Sequence, residues 1–357
     1  MTSLKDFYRN KRVFITGHTG FKGSWLCEVL LNLGANIGGY ALSPESTPNL
    51  FDILNLSDRI AAHFTGDVRD SEALKNAVKS FMPEIVIHMA AQPLVLESYR
   101  NPAYTYEVNV MGTVNILEAV RKCKSVKSFL NVTTDKVYLN REWVYGYREN
   151  ERLCGYDPYS NSKSCSELVT YSYRNSFFGD SGLPAISTAR SGNVIGGGDF
   201  SANRIIPDCM RSALKGEDII LRNPHSVRPY QHVLECLTGY LLLTMKQYQD
   251  KTAYEGSYNF GPDDDSCVTT QELAELFCEA WGGKIRTVIQ DSQTPKPHEA
   301  NMLKLDCSKS KAVLCWRPDW NIAQAVEEAA NWLKVYASGG DICSYMDSII
   351  TGRNWNV

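Results

Sequence analysis

The chain has 357 residues, of which 43% are hydrophobic and 22% are charged, and its formal net charge at pH 7 is -3. A chain of this size can bury the core of a two-lobed globule or of two ordinary domains. Lysine and arginine are scattered along it, which argues against the basic surface that a nucleic acid or an anionic membrane requires. We therefore expect a small molecule as the partner, with no nucleic acid and no membrane.

The eleven cysteines are odd in number and include no C-x-x-C pair, and the six histidines do not lie at metal-ligand spacing from them. The first ten residues lack the apolar core of a signal peptide, and no stretch approaches the roughly 18 apolar residues of a membrane span. We therefore expect reduced thiols, no metal site and a cytoplasmic location.

In the first half of the chain, short apolar segments alternate with amphipathic stretches of helix length. This alternation indicates parallel strands joined by crossover helices. The expected strands lie at 12–16, 36–41, 84–90, 128–132 and 185–190. The sequence therefore predicts an α/β fold whose residues 1–190 form a Rossmann-like, doubly wound parallel sheet.

The alternation is less regular after about residue 190. Here the patterns predict helices near 205–214, 232–248, 269–281 and 322–337, and short strands near 219–222, 257–261 and 284–289. We expect residues 191–357 to form a smaller α/β lobe that binds the substrate. Part of 230–262 could instead return to the dinucleotide-binding domain. No linker separates the lobes, so a cleft should lie between them.

Three glycines, Gly17, Gly20 and Gly23, lie between the first strand and the first helix. Glycine lets the backbone approach a pyrophosphate closely, and the helix N-terminus then offers free N–H groups to it. A helix-start turn that uses glycine for steric reasons is the structural alternative. The order of strand, glycines and helix favours a dinucleotide site.

Tyr159 and Lys163 are spaced by one helical turn, so that their side chains share one face of a helix. About one such spacing is expected by chance among 19 tyrosines. Its position is more informative, because the helix follows the strand that ends near Thr134. A lysine ammonium there would lower the pKa of the tyrosine and make Tyr159 a general base.

The glycine spacing, the Tyr-Lys pair and the segments at 66–70 and 88–92 together resemble the extended short-chain dehydrogenase/reductase family. The resemblance implies NAD as the cofactor, with Lys163 holding the nicotinamide ribose. It implies further cofactor contacts from Phe21, Asp67, Val68, Ala90, Ala91 and Gln92. The structural alternatives are an exposed helix cap at 66–70 and a buried strand end at 88–92.

The sequence departs from the family after the second strand, where residues 40–44 lack the acidic residue that would hold an NAD ribose. No arginine replaces it to bind a 2'-phosphate, so NAD is favoured over NADP. His18 and Lys22 are unusual within the glycine loop and could alter cofactor affinity or preference.

Thr134, Asp135 and Lys136 follow the apolar segment at 128–132. This triplet resembles the Thr-Asp-Glu triplet of the nucleoside-diphosphate-glucose 4,6-dehydratases, with lysine in place of glutamate. The resemblance implies that Thr134 binds the C4 hydroxyl, that Asp135 is the acid at C6 and that Lys136 handles the C5 proton. A lysine acts as a base only if its pKa is depressed from about 10.4. The alternatives are a surface lysine and a capping aspartate.

Lysine at position 136 and the segment 135–150 resemble the branch of that group that acts on CDP-glucose. This resemblance implies a lyase that converts CDP-D-glucose to CDP-4-dehydro-6-deoxy-D-glucose and water, with recycled NAD. The product would feed a deoxysugar of a bacterial lipopolysaccharide O-antigen. A 4-epimerase or a dehydrogenase of the same family, or an inactive dinucleotide sensor, remains an alternative.

Arg204 and Arg228 are candidates for binding the diphosphate of the sugar nucleotide, since guanidinium groups form paired bonds to phosphate oxygens. Residues 190–200 resemble a segment of the family, which implies that Asn193 binds the same diphosphate through its amide. An ion pair between the lobes is the structural alternative for either arginine. Residues 295–301 lack the arginines that relatives specific for thymidine diphosphate carry. The family resemblance further implies a homodimer or homotetramer, formed through a bundle of the helices that begin near Pro102 and Tyr159.

Overall fold

The computed structural model describes residues 3–221, 223–283, 285–290, 302–353 and 355. The strands of these residues are β1 Arg12–Thr16, β2 Asn36–Ala41, β3 Ala62–Thr65, β4 Ile85–His88, β5 Ser128–Val132, β6 Ala185–Ser191, β7 Val194–Ile195, β8 Ile219–Leu221, β9 Val227–Pro229, β10 Gln231–His232, β11 Ser257–Phe260, β12 Cys267–Thr269 and β13 Thr287–Ile289.

The α-helices are α1 Leu4–Tyr8, α2 Phe21–Asn32, α3 Leu50–Ile53, α4 Leu56–Arg59, α5 Ser71–Phe81, α6 Val95–Arg100, α7 Pro102–Tyr106, α8 Gly112–Lys122, α9 Pro158–Phe177, α10 Ile205–Lys215, α11 Val233–Gln249, α12 Lys251–Tyr254, α13 Thr270–Trp281, α14 Ser308–Leu314, α15 Ile322–Ala337 and α16 Ile342–Gly352. A π-helical turn, Glu107–Met111, joins α7 to α8, and 3-10 turns occupy Asp135–Val137 and Asp264–Ser266.

Within the described residues, seven parallel strands form the central sheet in the order β11-β6-β5-β4-β1-β2-β3. The strand order reverses between β1 and β4, and the carboxyl ends of the strands on either side of that reversal border a crevice. This topology confirms the predicted Rossmann-like, doubly wound α/β fold.

Both faces of the sheet are covered. In β1, Val13 and Ile15 pack into the core that includes α2 and α11, whereas Phe14 packs into the core that includes α5 and α8. Burial on both faces explains why the inner strands are continuous apolar segments rather than alternating ones.

The chain returns to the sheet after entering the smaller lobe. Helix α11 is almost entirely buried against the sheet, and β11 pairs with β6 at its edge. A separate apolar core unites α10, α13 and α15, to which β8 contributes Ile219 and Leu221. None of the helices in the described part of the chain is both long and apolar enough to cross a membrane.

Strand β3 and helix α16 are among the elements that were not predicted. Strand β3 has four residues, and its burial alternates between half-buried and exposed because it is the outer strand of the sheet. Helix α16 packs on α2, where Asn32 donates a hydrogen bond to Asp347. Strand β3 is short and depends on its neighbour, whereas the eleven residues of α16 do show helical spacing, with Ile342, Met346 and Ile350 buried.

Candidate active site

A cavity of about 1320 Å³ opens at the carboxyl edge of the sheet and is closed on the other side by α10 and β9 of the smaller lobe. It exceeds the usual size of a site for one small ligand. Among the predicted site residues, the structure brings into its lining Gly17, Gly20, Phe21, Gly23, Asp67, Val68, Ala90, Ala91, Thr134, Asp135, Lys136, Tyr159, Lys163, Asn193, Arg204 and Arg228.

Gln92 is the predicted site residue that the structure places outside this lining. Its side chain is buried, donates to Thr105 Oγ1 over 2.8 Å and accepts from the Leu94 amide over 2.6 Å. Its backbone is held by the Asn109 side chain. Gln92 therefore fixes the loop after β4 instead of facing the cavity.

The glycine loop has the geometry of a phosphate cradle. Gly17 has a φ of 77°, and a Cβ there would lie 2.8 Å from the Ala90 amide nitrogen. A Cβ on Gly23 would lie 2.2 Å from the Gly17 carbonyl oxygen. Gly20 caps α2 without a side-chain hydrogen bond, so the first N–H groups of this twelve-residue helix face the cavity without a side-chain cap. These features fit a dinucleotide pyrophosphate.

The region beyond β2 departs from the simple ribose site. Glu45, which the sequence analysis missed, lines the cavity three residues after Leu42. His18 does not line it: the ring is fully buried, and its Nε2 lies 2.7 Å from His63 Nδ1. Burial and the neighbouring His63 lower the pKa of His18 to about 3. Asp67 lines the cavity while bonded to Arg69.

The Thr-Asp-Lys triplet forms the start of a 3-10 turn directly after β5, with Thr134 as its N-cap. The Thr134 hydroxyl donates to Asp135 Oδ1 over 2.8 Å. Asp135 is 1% exposed, and its Oδ2 has no hydrogen-bond partner among the described residues. Lys136 is part-exposed, and its Nζ lies 3.7 Å from Asp135 Oδ1. An acid and an amine therefore stand side by side in the cavity wall.

Helix α9 supplies the Tyr-Lys pair, and its N-terminus is fixed by Asp157, whose carboxylate accepts from the Ser160 amide. Lys163 is 5% exposed, and its Nζ donates to the Val132 carbonyl at the end of β5 over 3.2 Å. Burial, with a smaller effect of Lys22, lowers the pKa of Lys163 to about 8.

The tyrosine titrates differently from the prediction. Burial of its hydroxyl raises the pKa of Tyr159 to about 12, and the nearby Thr134 hydroxyl and Arg204 only partly oppose this. The expected lowering of the pKa by Lys163 does not dominate, because desolvation is the larger effect and the lysine ammonium bonds to the strand end.

The three residues predicted to bind the sugar nucleotide all line the cavity. Arg204 precedes α10 and pairs with Asp199 over 3.1 Å, within the same lobe. Arg228 is 3% exposed and donates to the Val227 carbonyl. Asn193 accepts a bond from the Gln231 amide through its own carbonyl. The predicted difference at residues 295–301 lies outside the described residues.

Gly192 is a site residue that the sequence analysis did not select. A Cβ there would lie 3.2 Å from Asp135 Oδ2 and 2.9 Å from Pro229 Cγ. The signal was available, since this glycine directly follows a buried strand in the segment that was assigned to the nucleotide. Lys22, which was noted as unusual, lines the cavity and donates to Ser191 Oγ over 3.2 Å.

Comparison with known proteins adds family information to this geometry. A family model described as GDP-mannose 4,6 dehydratase matches residues 14–329. A CDP-glucose 4,6-dehydratase of Salmonella typhimurium is 46% identical over 346 residues, which cover 95% of this chain and 96% of the relative. A GDP-mannose 4,6-dehydratase of Yersinia enterocolitica is 26% identical and covers 89% of this chain and 92% of its own length.

Solved structures agree on the fold. A UDP-glucose 4-epimerase from Thermus thermophilus, in complex with NAD, is 25% identical with a TM-score of 0.76, and the match covers 90% of this chain and 99% of that one. A dTDP-glucose 4,6-dehydratase from Bacillus anthracis, also in complex with NAD, is 21% identical with a TM-score of 0.74, covering 93% and 99%. Because the Bacillus anthracis enzyme is 21% identical, this second likeness supports the fold alone.

Proposed function

The chain belongs to the GDP-mannose 4,6-dehydratase family, and we propose that it is a lyase that converts CDP-D-glucose to CDP-4-dehydro-6-deoxy-D-glucose and water. The observation that carries this proposal is the buried Asp135 carboxyl in the same cavity as Tyr159: its Oδ1 lies 3.7 Å from Lys136 Nζ, and its Oδ2 has no hydrogen-bond partner among the described residues. The 46% identity to a CDP-glucose 4,6-dehydratase over nearly the whole chain supports the choice of nucleotide.

The larger lobe holds NAD at the glycine loop, and the smaller lobe holds the CDP group through Asn193, Arg204 and Arg228. NAD held there would supply a hydride acceptor for C4 of the sugar and a hydride donor for C6. Gly17 and Gly23 bring the backbone close to the pyrophosphate, and the N-terminus of α2 stabilises its charge.

Tyr159 removes the proton of the C4 hydroxyl, and Thr134 holds that hydroxyl. The pKa of Tyr159 is about 12, so the residue keeps its proton at neutral pH until positive charge favours the tyrosinate. Arg204 lines the same cavity and already lowers the pKa of Tyr159 in part. Lys163, which is protonated at pH 7 because its pKa is about 8, bonds to the Val132 carbonyl and would hold the nicotinamide ribose.

Asp135 and Lys136 carry out the elimination. Lys136 takes the C5 proton, the C5–C6 double bond forms, and Asp135 gives a proton to the C6 hydroxyl as the C6–O bond breaks and water leaves. When the hydride returns to C6, Lys136 gives its proton back to C5, and the proton that Tyr159 took from the C4 hydroxyl replaces the one that Asp135 lost. Lys136 Nζ and Asp135 Oδ1 lie 3.7 Å apart, so both groups face the same part of the cavity. A 4-epimerase or a dehydrogenase would have no step that uses this acid.

The first experiment is an incubation of the purified protein with CDP-glucose and NAD. Mass spectrometry should show the loss of one water from the sugar nucleotide, while nicotinamide absorbance should show no net NADH. NADH that accumulates without water loss would make the protein a dehydrogenase. An unchanged sugar, with UDP-, GDP- and TDP-glucose then also unchanged, would overturn the assignment.

The substitution Asp135→Asn tests the acid directly. We expect dehydration to fall by at least about 100-fold, since general acid catalysis contributes 10²–10⁴-fold, whereas single-turnover C4 oxidation stays measurable. The exposed Asp58→Asn, distant from the cavity, serves as the control. Equal loss of both half-reactions would contradict the role of Asp135.

The protein is proposed to be a homodimer or homotetramer built on α7, α8 and α9. Met111, Leu168 and Tyr171 lie on this helical layer and are 50%, 53% and 61% exposed in the single chain. These exposed apolar side chains support an interface with a second subunit there. A monomeric molar mass from light scattering would overturn this.

We further propose a cytoplasmic enzyme of O-antigen deoxysugar synthesis, and the eleven free thiols are consistent with a cytoplasmic location. Unchanged lipopolysaccharide after deletion of its gene would refute the role in O-antigen synthesis.

A further inference from the structure

A buried carboxylate lies directly behind the Thr-Asp-Lys triplet. Glu167 is 2% exposed, and its Oε1 accepts from Thr133 Oγ1 over 2.5 Å and from Arg190 Nε over 2.9 Å. Its Oε2 accepts from Thr188 Oγ1 over 2.7 Å and from Arg190 NH2 over 2.8 Å. Glu167 and Arg190 thus form a bidentate ion pair, and both carboxylate oxygens carry two donors.

The same guanidinium also holds the far side of the triplet. Arg190 NH1 donates to the Tyr138 hydroxyl over 2.8 Å, and its guanidinium carbon lies 5.1 Å from the centre of the Tyr138 ring. The Tyr138 hydroxyl in turn donates to Asn259 Oδ1 over 2.7 Å. Tyr138 follows the 3-10 turn Asp135–Val137 as its C-cap.

Thr133 and Tyr138 therefore bracket residues 134–137, and one buried ion pair anchors both brackets. Glu167 lies one helical turn after Lys163 on α9, so the anchor belongs to the helix that also carries Tyr159. The ion pair fixes the segment bearing the proposed acid and base relative to the helix bearing the proton-transfer pair.

We infer that Thr133, through its bond to the Glu167–Arg190 pair, is a positioning residue for the elimination step. This inference rests on the proposed function and deepens it. Both elimination groups lie on the bracketed segment. Oxidation depends on that segment only through Thr134, and its base lies on α9, which does not need Thr133 for its placement. A shift of about 1 Å in a reacting group can cost about 100-fold in rate. Loss of the Thr133 bond therefore slows elimination more than oxidation.

The test compares Thr133→Val with Thr188→Val. Both threonines are buried, both donate to the same carboxylate, and valine keeps the side-chain shape while removing the hydroxyl. Thr188 lies on β6 and does not line the cavity. The two variants should lose thermal stability by similar amounts. A difference between them in the ratio of the rates of water loss and C4 oxidation therefore reflects the placement of residues 134–137 and not stability.

In single turnovers of CDP-glucose with NAD, we expect Thr133→Val to lower the rate of water loss by at least about tenfold and that of C4 oxidation by less than about threefold. Reduced nicotinamide should therefore accumulate transiently, and the isotope effect of C5-deuterated substrate should increase. Thr188→Val should have the same ratio of water-loss rate to oxidation rate as the unchanged protein. Thr133→Ser, which restores the hydroxyl, should return that ratio to the value of the unchanged protein.

Two results would overturn the inference. Equal partition in Thr133→Val and Thr188→Val would reduce Thr133 to a structural role, and so would a Thr133→Ser variant as defective as Thr133→Val. Failure of the unchanged protein to dehydrate CDP-glucose or any other nucleotide-diphosphate glucose would instead refute the proposed function. The two failures are therefore distinguishable.

Discussion

Single residues of the active site are tuned mainly by burial. Lys163 is 5% exposed, and desolvation lowers its pKa from the ordinary value of 10.5 to about 8. Between these two values the unfolded chain binds more protons than the folded one, so the lysine contributes a stability that rises with pH in that window. At pH 7 the buried ammonium opposes folding, a cost that fits the role proposed for Lys163 beside Tyr159.

The variant Lys163→Met should therefore be more stable but inactive. At pH 7 we expect the free energy of unfolding to rise by roughly 1–3 kcal/mol, since each pKa unit corresponds to about 1.4 kcal/mol, and turnover to fall by at least about 100-fold. Urea unfolding checks this, and the gain should shrink near about pH 10, where the lysine is neutral in the folded state.

The exposed Lys122→Met on α8 provides the control and should change stability by less than about 0.5 kcal/mol at either pH. A Lys163→Met variant that is less stable than the unchanged protein at pH 7 would contradict this account. It would mean that the 3.2 Å bond to the Val132 carbonyl outweighs the cost of burying the charge.

The sequence identified residue types better than their electrostatic environment. Tyr159, Lys163 and the triplet at 134–136 were recognisable from spacing and position, and all of them line one cavity. The direction of the Tyr159 pKa shift was predicted wrongly, because it depends on desolvation. The pairing of Glu167 with Arg190, 23 residues apart, is set by strand order and leaves no local pattern.

At the scale of elements, the turn between β1 and α2 was the most predictable feature. Gly23 makes it possible for α2 to start against the loop, since a Cβ there would lie 2.2 Å from the Gly17 carbonyl oxygen and 2.7 Å from the His18 Cα. These neighbours are backbone atoms, which cannot rotate away as a side chain can. Any side chain at position 23 must therefore displace the loop itself.

We expect Gly23→Ala to weaken NAD binding by at least about tenfold, because misplaced N–H groups no longer meet the pyrophosphate. Calorimetric titration with NAD measures this. Gly182→Ala is the matched control, because a Cβ there meets nothing within 4 Å. If Gly23→Ala binds NAD as tightly as Gly182→Ala, the loop does not hold the pyrophosphate.

The elements that escaped prediction did so for different reasons. Strand β3 is the outer strand of the sheet, and its four residues alternate between half-buried and exposed, so they form no continuous apolar segment. Helix α16 carries a regular signal that the sequence analysis overlooked: Asp341 caps its N-terminus, and Ile342, Met346 and Ile350 recur at helical spacing and are buried.

At the scale of the whole molecule, the C-terminal segment joins parts of the chain that are far apart in sequence. Arg353 follows α16, is 5% exposed and bonds to Glu235 at the start of α11 over 2.8 Å. It also bonds to Asp319 and stacks on Trp320. Burial raises the pKa of Glu235, and Arg353 is the main opposing influence. Arg353 thus supplies the positive charge that partners the buried Glu235 carboxylate.

Removing this arginine should cost more than removing a surface one. We expect Arg353→Met to lower the free energy of unfolding at pH 7 by about 3 kcal/mol, since it leaves a buried carboxylate without its partner. Arg148→Met, which breaks an exposed pair with Asp306, should cost less than about 1 kcal/mol. Denaturant unfolding of both variants measures the difference.

The pH dependence identifies the cause of that loss. Without Arg353, the pKa of Glu235 should rise further above its unfolded value, so the folded variant binds a proton that the unfolded chain releases. The stability of Arg353→Met relative to the unchanged protein should therefore fall as pH rises from about 5 to about 8. A loss that is independent of pH would instead indicate that Arg353 acts through its packing on Trp320.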